Sequence, residues 1–480
     1  MGDLKSYLNS LKNKRVAVVG AGISNTPLIK LLLDAGIETT VCDKRKKNEL
    51  GEDAIQEYEK HGALLWLGDN YLDNLTEDVI FRTPSLMPSN PALSKAIANG
   101  TILTSEMEAF FEICPCKIIA VTGSDGKTTT TSIIAEILKN EGRTVHIGGN
   151  IGTPLLSRVD DMTPDDIAVI ELSSFQLISM QKSPDIAVVT NLSPNHLDVH
   201  TDLAEYVEAK SNIFVHQNKN DKVVLNLDNP VTRNYAINAP AGEVLFFSRY
   251  NKVDNGVYQK NGIIYESRGN NRNEILRTNE ILLPGDHNIE NYLAAFAAVL
   301  DLAGYDSMRK TAKSFNGVAH RIEFVRELHG VKYYNDSIAS SPSRAIAGLK
   351  AFTSNEGNFV SKEKRKLILI AGGKDKGIDF DELAIETNAR VKTLVLTGAT
   401  ANQIRNAVIN APNYTQEGSV SDDVPVIIHK DDFEEAVKAA AEAANEGDIV
   451  LLSPACTSFD RFKNFEERGN VFKEIVNRLV

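Results

Sequence analysis

Short unbroken runs of apolar residues recur along the chain, and most end abruptly on glycine, serine, asparagine or an acid. Such runs mark parallel strands buried on both faces, whereas half-exposed strands alternate. "RVAVVGAGIS" predicts a strand over Arg15–Val19 that opens into Gly20-Ala21-Gly22. Leu28, Ile29, Leu31 and Leu32 then predict a helix from Pro27 to Ala35, and "TTVCDKR" predicts a second strand ending at Asp43. Strand, glycine turn, helix and strand, with an acid about 20 residues past the glycines, open a Rossmann-like unit. Asn25 stands where a dinucleotide fingerprint has its third glycine, which disfavours NAD and leaves a phosphate or sugar-nucleotide site open. "VIFRTPSLMPSNP" predicts a further strand leading into a proline-rich loop.

The same rhythm continues. "TVHIG", "IAVIELSS", "IAVVTNLS" and "KVVLNLD" predict strands between helical stretches, "GVYQKNGIIYES" a hairpin around Asn-Gly, and "NYLAAFAAVLDLAG" a buried helix. Later, "VKYYNDS", "KLILIAGG", "TLVLTG", "VPVIIHK" and "DIVLLSPA" form another strand series, with "FTSNEGNFVSKEKRK" as a solvated loop. At 480 residues the chain exceeds one ordinary core. The expected fold is α/β in three domains: a Rossmann-like N-terminal domain over 1–106, a P-loop-type central parallel sheet over 107–318, and a Rossmann-like C-terminal domain over 319–480.

The sharpest local pattern is "IIAVTGSDGKTTTTSIIAEIL", Ile118–Leu138. Gly126-Lys127-Thr128 suits a Walker A loop, but that loop's first glycine should stand at Val121, and the first glycine present is Gly123. An apolar strand runs in, and Ile133, Ile134, Ile137 and Leu138 continue at helical spacing up to Gly142. Strand, glycine loop and helix N-terminus present free backbone N–H groups to an anion. Lys127 adds a mobile cation, and Thr128 and Thr129 offer hydroxyls to Mg²⁺.

Composition narrows the setting. Hydrophobic residues make up 42% and charged residues 24%, a soluble globular profile. The net charge of −12 argues against a nucleic-acid-binding surface, so local groups must hold any anionic ligand. Four cysteines suit a reducing cytoplasm, and Cys114-Pro115-Cys116 is too tight for a usual zinc pair. The polar N-terminus suggests no secretory signal, and no apolar run is long enough to insert in a membrane.

Around the phosphate loop, Glu171 ends a strand, where a carboxylate can meet the metal beside Lys127. His196 and Asp198 follow another strand end; His196 and His200 have a zinc-helix spacing but lack the glutamate and a third ligand. A polar contact to nucleotide or metal is the better role for His196, with plain surface histidines as the alternative. Lys210 sits between Tyr206 and Phe214 on a helix, equally a snorkelling lysine or a functional one. Asn288 and Asn291 share a helix face, either as an N-cap or as a grip on adenine. His320-Arg321, Asp336 and Ser337, "GGKDKG" with Lys374 and Lys376, and "SPACTSFDRFKNFEERG" with Ser458 add candidates for nucleotide and anionic-substrate contacts.

Taken together, the short loop from Gly123 to Thr129, "GGNIGTPL", "ELSSFQL", "HNIENYLAA", "AHRIEFV" with "YYNDS", and "SPACTSFDRFKNFEERG" resemble the Mur ligases along the whole chain. The resemblance is strongest to those members that add D-glutamate to UDP-N-acetylmuramoyl-L-alanine. It implies a cytoplasmic, monomeric, ATP-dependent amide-bond-forming ligase of peptidoglycan synthesis that works through an acyl phosphate, and it supplies a reason for the shortened loop. It further implies that Gly123, Ser124, Asp125, Gly126, Lys127, Thr128, Thr129, Asn288, Asn291, Arg321 and Asp336 hold ATP. Thr128, Glu171, His196 and a Lys210 carbamylated by CO₂ would hold Mg²⁺, with two ions expected. Lys127, Glu171, His196 and Lys210 would form the catalytic set. The nucleotide-sugar substrate would lie along Ile23, Ser24, Asp43, Lys44, Arg45, Thr83, Asn150 and Ser173. D-glutamate would meet Lys376, Ser458 and Phe465.

Two departures stand out. Where the family often has lysine after Asp-Ser, Ile338 stands here, removing one positive charge near the acceptor and leaving contacts by Ser340 or Ser341 open. The typical Ser-Pro-Gly of the uracil loop reads Thr83-Pro84-Ser85. The alternatives are a related ligase with another acceptor, folylpolyglutamate synthase, a regulatory ATPase and an NAD-dependent dehydrogenase. The acceptor motif of the diamino-acid-adding ligases is absent, and folylpolyglutamate synthase has no need of the N-terminal uridine-type segment.

Overall fold

The computed structural model describes residues 3–193, 200–237, 241–352, 365–374, 377–414 and 424–480. The chain divides into two compact units, one formed by Met1–Glu280 with Ile289–Lys313 and the other by Ile281–Asn288 with Ser314–Val480. The described residues are α/β and form three sheets.

The first unit carries two sheets. The N-terminal one has five parallel strands, β1 (Val16–Val19), β2 (Thr39–Asp43), β3 (Leu64–Leu67), β4 (Val79–Arg82) and β5 (Ile102–Thr104), ordered β3-β2-β1-β4-β5. This is a Rossmann-like half sheet, and its direction of winding switches between β1 and β4. The expected helix is longer at its start, Asn25–Asp34, because Asn25 turns inward. Its buried amide donates to the carbonyls of Val19 (3.1 Å) and Gly20 (3.0 Å), closing the glycine turn without a third glycine.

The second sheet has nine strands: β6 (Lys117–Thr122), β7 (Val145–Gly149), β8 (Ile167–Glu171), β9 (Ile186–Val189), β10 (Lys222–Asn226), β11 (Glu243–Ser248), β12 (Asn255–Lys260), β13 (Ile263–Arg268) and β14 (Asn271–Arg277). The order β14-β13-β12-β11-β10-β9-β6-β8-β7 is parallel up to β12 and antiparallel beyond it. Asn261 and Gly262, both with positive φ, make the expected hairpin turn. One cluster of buried apolar side chains runs from Val18, Ile29 and Phe81 of the first sheet layer to Ala120, Ile170 and Val189 of the second.

The second unit holds a six-stranded sheet: β15 (Glu323–Leu328), β16 (Val331–Asn335), β17 (Leu367–Ala371), β18 (Val391–Leu396), β19 (Val426–His429) and β20 (Ile449–Leu452), ordered β15-β16-β20-β17-β18-β19. Only β15 runs antiparallel. Most of the predicted solvated loop lies outside the described residues. Among the described residues no helix is long and apolar enough to cross a membrane.

Candidate active site

The shortened phosphate loop sits at the end of β6, the strand between β8 and β9 where the second sheet reverses its winding. Val121, which occupies the Walker glycine position, lies inside the strand opposite Glu171 and Val188, so the loop begins only at Gly123. Its two glycines are forced. Gly123 has φ 151° and a Cβ there would meet the Thr190 hydroxyl at 1.9 Å; Gly126 has φ 78° and a Cβ would meet the Asn291 amide oxygen at 2.2 Å. The helix Lys127–Asn140 begins immediately, aiming its first N–H groups at the loop.

Side chains fix this loop from several elements. The Ser124 N–H donates to the Asn191 carbonyl (2.8 Å) and the Asp125 N–H to the Asn191 side-chain oxygen (3.0 Å). The Ser124 hydroxyl donates to the Ser193 carbonyl at 3.0 Å and lies 2.9 Å from the Tyr206 hydroxyl, so it braces the loop. Thr130 donates to Asn291 at 3.3 Å, which brings that asparagine to the loop. Lys127 folds back, its Nζ donating to the carbonyls of Gly123 (3.0 Å) and Ser124 (2.9 Å).

Glu171 is 1% exposed. Its Oε1 accepts from the Asn150 amide at 2.8 Å, and its Oε2 is buried with no hydrogen-bond partner among the described residues. An orphaned anionic oxygen in a closed site is costly unless a cation meets it. Glu171 therefore fits Mg²⁺, whose preference is for carboxylate oxygen. Asn150 and Glu171 thus fall together, while Ser173 caps the short helix Ser174–Leu177 in a reciprocal pairing with Gln176.

Lys210, on the helix Leu203–Ser211, is 2% exposed. Its Nζ donates to the Thr122 hydroxyl and the Gly123 carbonyl, both at 3.0 Å, and lies 4.9 Å from the centre of the Tyr206 ring. Burial, and then the Lys127 cation, push its pKa well below the usual lysine value, with Glu171 opposing. A neutral amine can attack CO₂ where an ammonium cannot. His196 lies outside the described residues. Its neighbour His200 is buried, 2.9 Å from the Ser174 hydroxyl, and stacks on Phe175 with centroids 5.4 Å apart.

The candidates for the uridine end of the nucleotide sugar collect at the ends of β1, β2 and β4, whereas Asn150 and Ser173 follow β7 and β8. Asp43 accepts from the Ala21 N–H (2.8 Å) and from a two-pronged Arg45 fork (3.0 and 2.8 Å). Burial works against ionising this carboxyl, yet Arg45 and the backbone N–H groups hold it below its usual range. Gly20 packs on Thr83, leaving only 3.0 Å to an added Cβ, while Ile23 stands 86% exposed beside the turn.

In the second unit, Asp336 follows β16 and accepts from the Ser453 hydroxyl (2.8 Å) and the Ile322 N–H (3.3 Å). Burial pushes its pKa up to about 7, against those bonds and the charges of Arg321 and Arg344. His320 and Ile322 flank Arg321 with φ 64° and 45°, a left-handed conformation that a β-branched residue rarely adopts. Asn288 lies within the helix Asp286–Val299 and does not cap it; its amide donates back to the Pro284 carbonyl at 2.6 Å.

Ser458 is buried, and the Phe465 ring meets His320 edge-on at 5.9 Å. Buried Arg468 ties this corner together, donating to the hydroxyl (2.9 Å) and carbonyl (2.8 Å) of Ser337 and to the Cys456 carbonyl (3.1 Å). Lys376 lies outside the described residues. Arg344 places a guanidinium 3.4 Å from the Ile338 carbonyl, so a positive charge stands beside the position where sequence reading had one removed.

Sequence reading missed Asn191, Tyr206, Arg344 and Arg468 as organisers. Asn191 carried a signal, a polar residue at a strand end; Tyr206 and Arg468 lie inside helical patterns that gave none.

The comparisons with known proteins identify the family. The Mur ligase middle domain matches residues 121–299, and the Mur ligase, glutamate ligase domain, matches residues 320–456. The chain belongs to the Mur ligase family, whose members are ATP-dependent amide-bond-forming enzymes. Within it, the chain is 50% identical to the UDP-N-acetylmuramoylalanine–D-glutamate ligase of Ruminiclostridium cellulolyticum over 99% of each chain. It is also 50% identical to the enzyme of the same name from Clostridium novyi, over 98% of each. UDP-N-acetylmuramate–alanine ligase from Thermotoga maritima shares the fold, with TM-score 0.55 and 16% identity over 97% of this chain and 99% of that one. MurF from Acinetobacter baumannii does so with TM-score 0.55 and 16% identity, over 80% and 87%.

Proposed function

We propose that this chain joins D-glutamate to UDP-N-acetylmuramoyl-L-alanine, consuming ATP, in peptidoglycan precursor synthesis. The observation that carries the acceptor is the 50% identity to D-glutamate ligases over 99% of each chain. The class of reaction is supported by the phosphate loop with Glu171 and Lys210 beside it.

A carboxylate is a poor electrophile at neutral pH. The alanyl carboxylate therefore attacks the γ-phosphorus of ATP, the bond to ADP breaks, and an acyl phosphate forms. The amine of D-glutamate then attacks the activated carbonyl carbon and loses a proton, and inorganic phosphate leaves from the tetrahedral intermediate. Lys127 and the first N–H groups of the helix Lys127–Asn140 bind the phosphates and stabilise charge on the transferring group. Thr128, Glu171, His196 and carbamylated Lys210 would hold Mg²⁺, two ions in all, with Asn150 orienting Glu171. Mg²⁺ supplies neutralisation of phosphate charge when bound.

Asn288, Asn291, Arg321 and Asp336 hold the nucleoside of ATP. Ile23, Ser24, Asp43, Lys44, Arg45 and Thr83 take the uridine end of the sugar substrate. Lys376, Ser458 and Phe465 receive D-glutamate, with Arg344 supplying charge nearby. The enzyme works in the cytoplasm as a monomer of three domains, 1–106, 107–318 and 319–480.

Phosphate release from ATP in the presence of UDP-N-acetylmuramoyl-L-alanine tests this reading, with D-glutamate, L-alanine, L-lysine and diaminopimelate offered in turn. Turnover with D-glutamate alone is expected; preference for another amine refutes the acceptor.

A further inference from the structure

Among the described residues, Arg82 is the largest side chain wholly withdrawn from solvent, at 0% exposure. It ends β4, paired with Val19 of β1, and every nitrogen of its guanidinium is engaged. One amino group donates to the carbonyls of Pro84 (3.2 Å) and Leu86 (3.3 Å), which hold the loop after β4. The other donates to the Phe175 carbonyl and the Ser179 hydroxyl, both at 2.7 Å, with Nε reaching the same hydroxyl at 3.3 Å. Ser179 in turn donates to Glu108 at 3.2 Å, and Ser105 donates to the same oxygen at 2.8 Å, so the charge has a half-buried acidic counterpart.

A simple apolar contact would pack these two sheet layers at less desolvation cost. The fork does something packing cannot: it joins two named loops at fixed length and angle. One is the Thr83–Leu86 loop, packed on the Gly20 turn. The other is the short helix Ser174–Leu177, which follows Glu171 and Ser173 and carries Ser174 and Phe175 against His200.

We propose that Arg82 is a positioning residue that sets the span between the loop gripping the uridine end of the sugar-nucleotide substrate and the loop presenting its carboxylate to the phosphate site. This rests on the reading of the substrate given above. A long substrate held at both ends turns over well only if the two grips are the right distance apart, and an error of about 1 Å can cost a hundredfold.

Arg82→Lys, which keeps the charge but not the fork, and Ser179→Ala, which removes the central hydroxyl, test it. The KM for UDP-N-acetylmuramoyl-L-alanine is expected to rise about tenfold in Arg82→Lys and about threefold in Ser179→Ala. In both, the KM for ATP and for D-glutamate stays within about twofold of the parent. UDP alone occupies only the first loop, so its inhibition constant is expected to be unchanged in Ser179→Ala. An unchanged KM for the sugar nucleotide, or a parallel shift in all three substrates and in UDP, overturns the proposal in favour of a role in folding alone. If Arg82→Lys does not fold, Ser179→Ala decides by the same split. A parent protein that releases no ADP with these substrates refutes the functional reading and this proposal together, whereas normal parent turnover with unaltered variants refutes this proposal only.

Discussion

Glu171 concentrates the chemistry of the site in one carboxylate. The Asn150 amide donates to one oxygen, and the other is buried without a donor among the described residues. Glu171→Gln keeps shape and removes charge, so ADP formation is expected to fall by about a hundredfold or more, while the melting temperature holds or rises because the desolvation cost of a buried charge is gone. A variant that retains near-parental ADP formation would remove Glu171 from catalysis. Lys210 offers a second check: protein equilibrated with ¹³C-bicarbonate is expected to give a carbamate carbon resonance that Lys210→Arg lacks. Asp336 adds a pH signature. Its carboxyl ionises near 3.8 when unfolded and near 7 when folded, so between those values the native state holds the extra proton and loses stability as pH rises. Asp336→Asn removes this dependence, so its stability relative to the parent is expected to grow from pH 5 to pH 7 by on the order of 2 kcal/mol and then level off. Denaturant melts across that range measure it, and a gap that shrinks with rising pH would show the carboxyl is not held neutral.

At the scale of elements, the phosphate loop between strand and helix is two residues shorter than the Walker arrangement, its first glycine standing at Gly123 instead of position 121. Gly123→Ala would drive a methyl into the Thr190 hydroxyl, and Gly126→Ala one into Asn291, both at left-handed φ. Each is expected to destabilise by about 1–3 kcal/mol and to weaken ATP binding, measured by calorimetric titration; intact ATP affinity in both would mean the loop does not cradle phosphate. The strand series of this region was legible because buried parallel strands are uninterrupted apolar runs, and "IAVIE" or "IIAV" could be little else. Strands β3, β5, β14 and β15 lie at sheet edges and escaped notice, most plainly "NRNEILR" of β14, where the four leading positions are exposed; β11, an inner strand between β10 and β12, escaped it too, its first two positions being only half-buried. The catalytic candidates at strand tips were legible by the same logic, since an acid or amide ending an apolar run has no packing reason to be there. Arg82 was not: an arginine at the end of a strand reads as solvated, and only the three-dimensional approach of Phe175 and Ser179 reveals it as enclosed.

At the scale of the whole molecule, an acidic chain of net charge −12 offers anions no attractive global field, so the proposed function rests on cations placed one by one: Lys127, Arg45, Arg321 and Arg344. The chain is also two compact units whose cores are separately assembled. In the first, one apolar cluster fuses the N-terminal and central sheets, and Arg82 bridges between them, so these two are expected to unfold together. In the second, Phe472 is fully buried among Ile368, Ile370, Val437 and Leu452. A chain built this way need not melt in one step. Scanning calorimetry is therefore expected to resolve two transitions, one for each unit. Phe472→Ala removes about 3–5 kcal/mol of core packing from the second unit alone, and should lower one transition while leaving the other in place. The unmoved transition should still rise when UDP is added, because its candidate site lies wholly on the first unit, and ligand binding stabilises only the body that binds. A single transition that shifts as a whole in Phe472→Ala would mean that the two cores unfold as one.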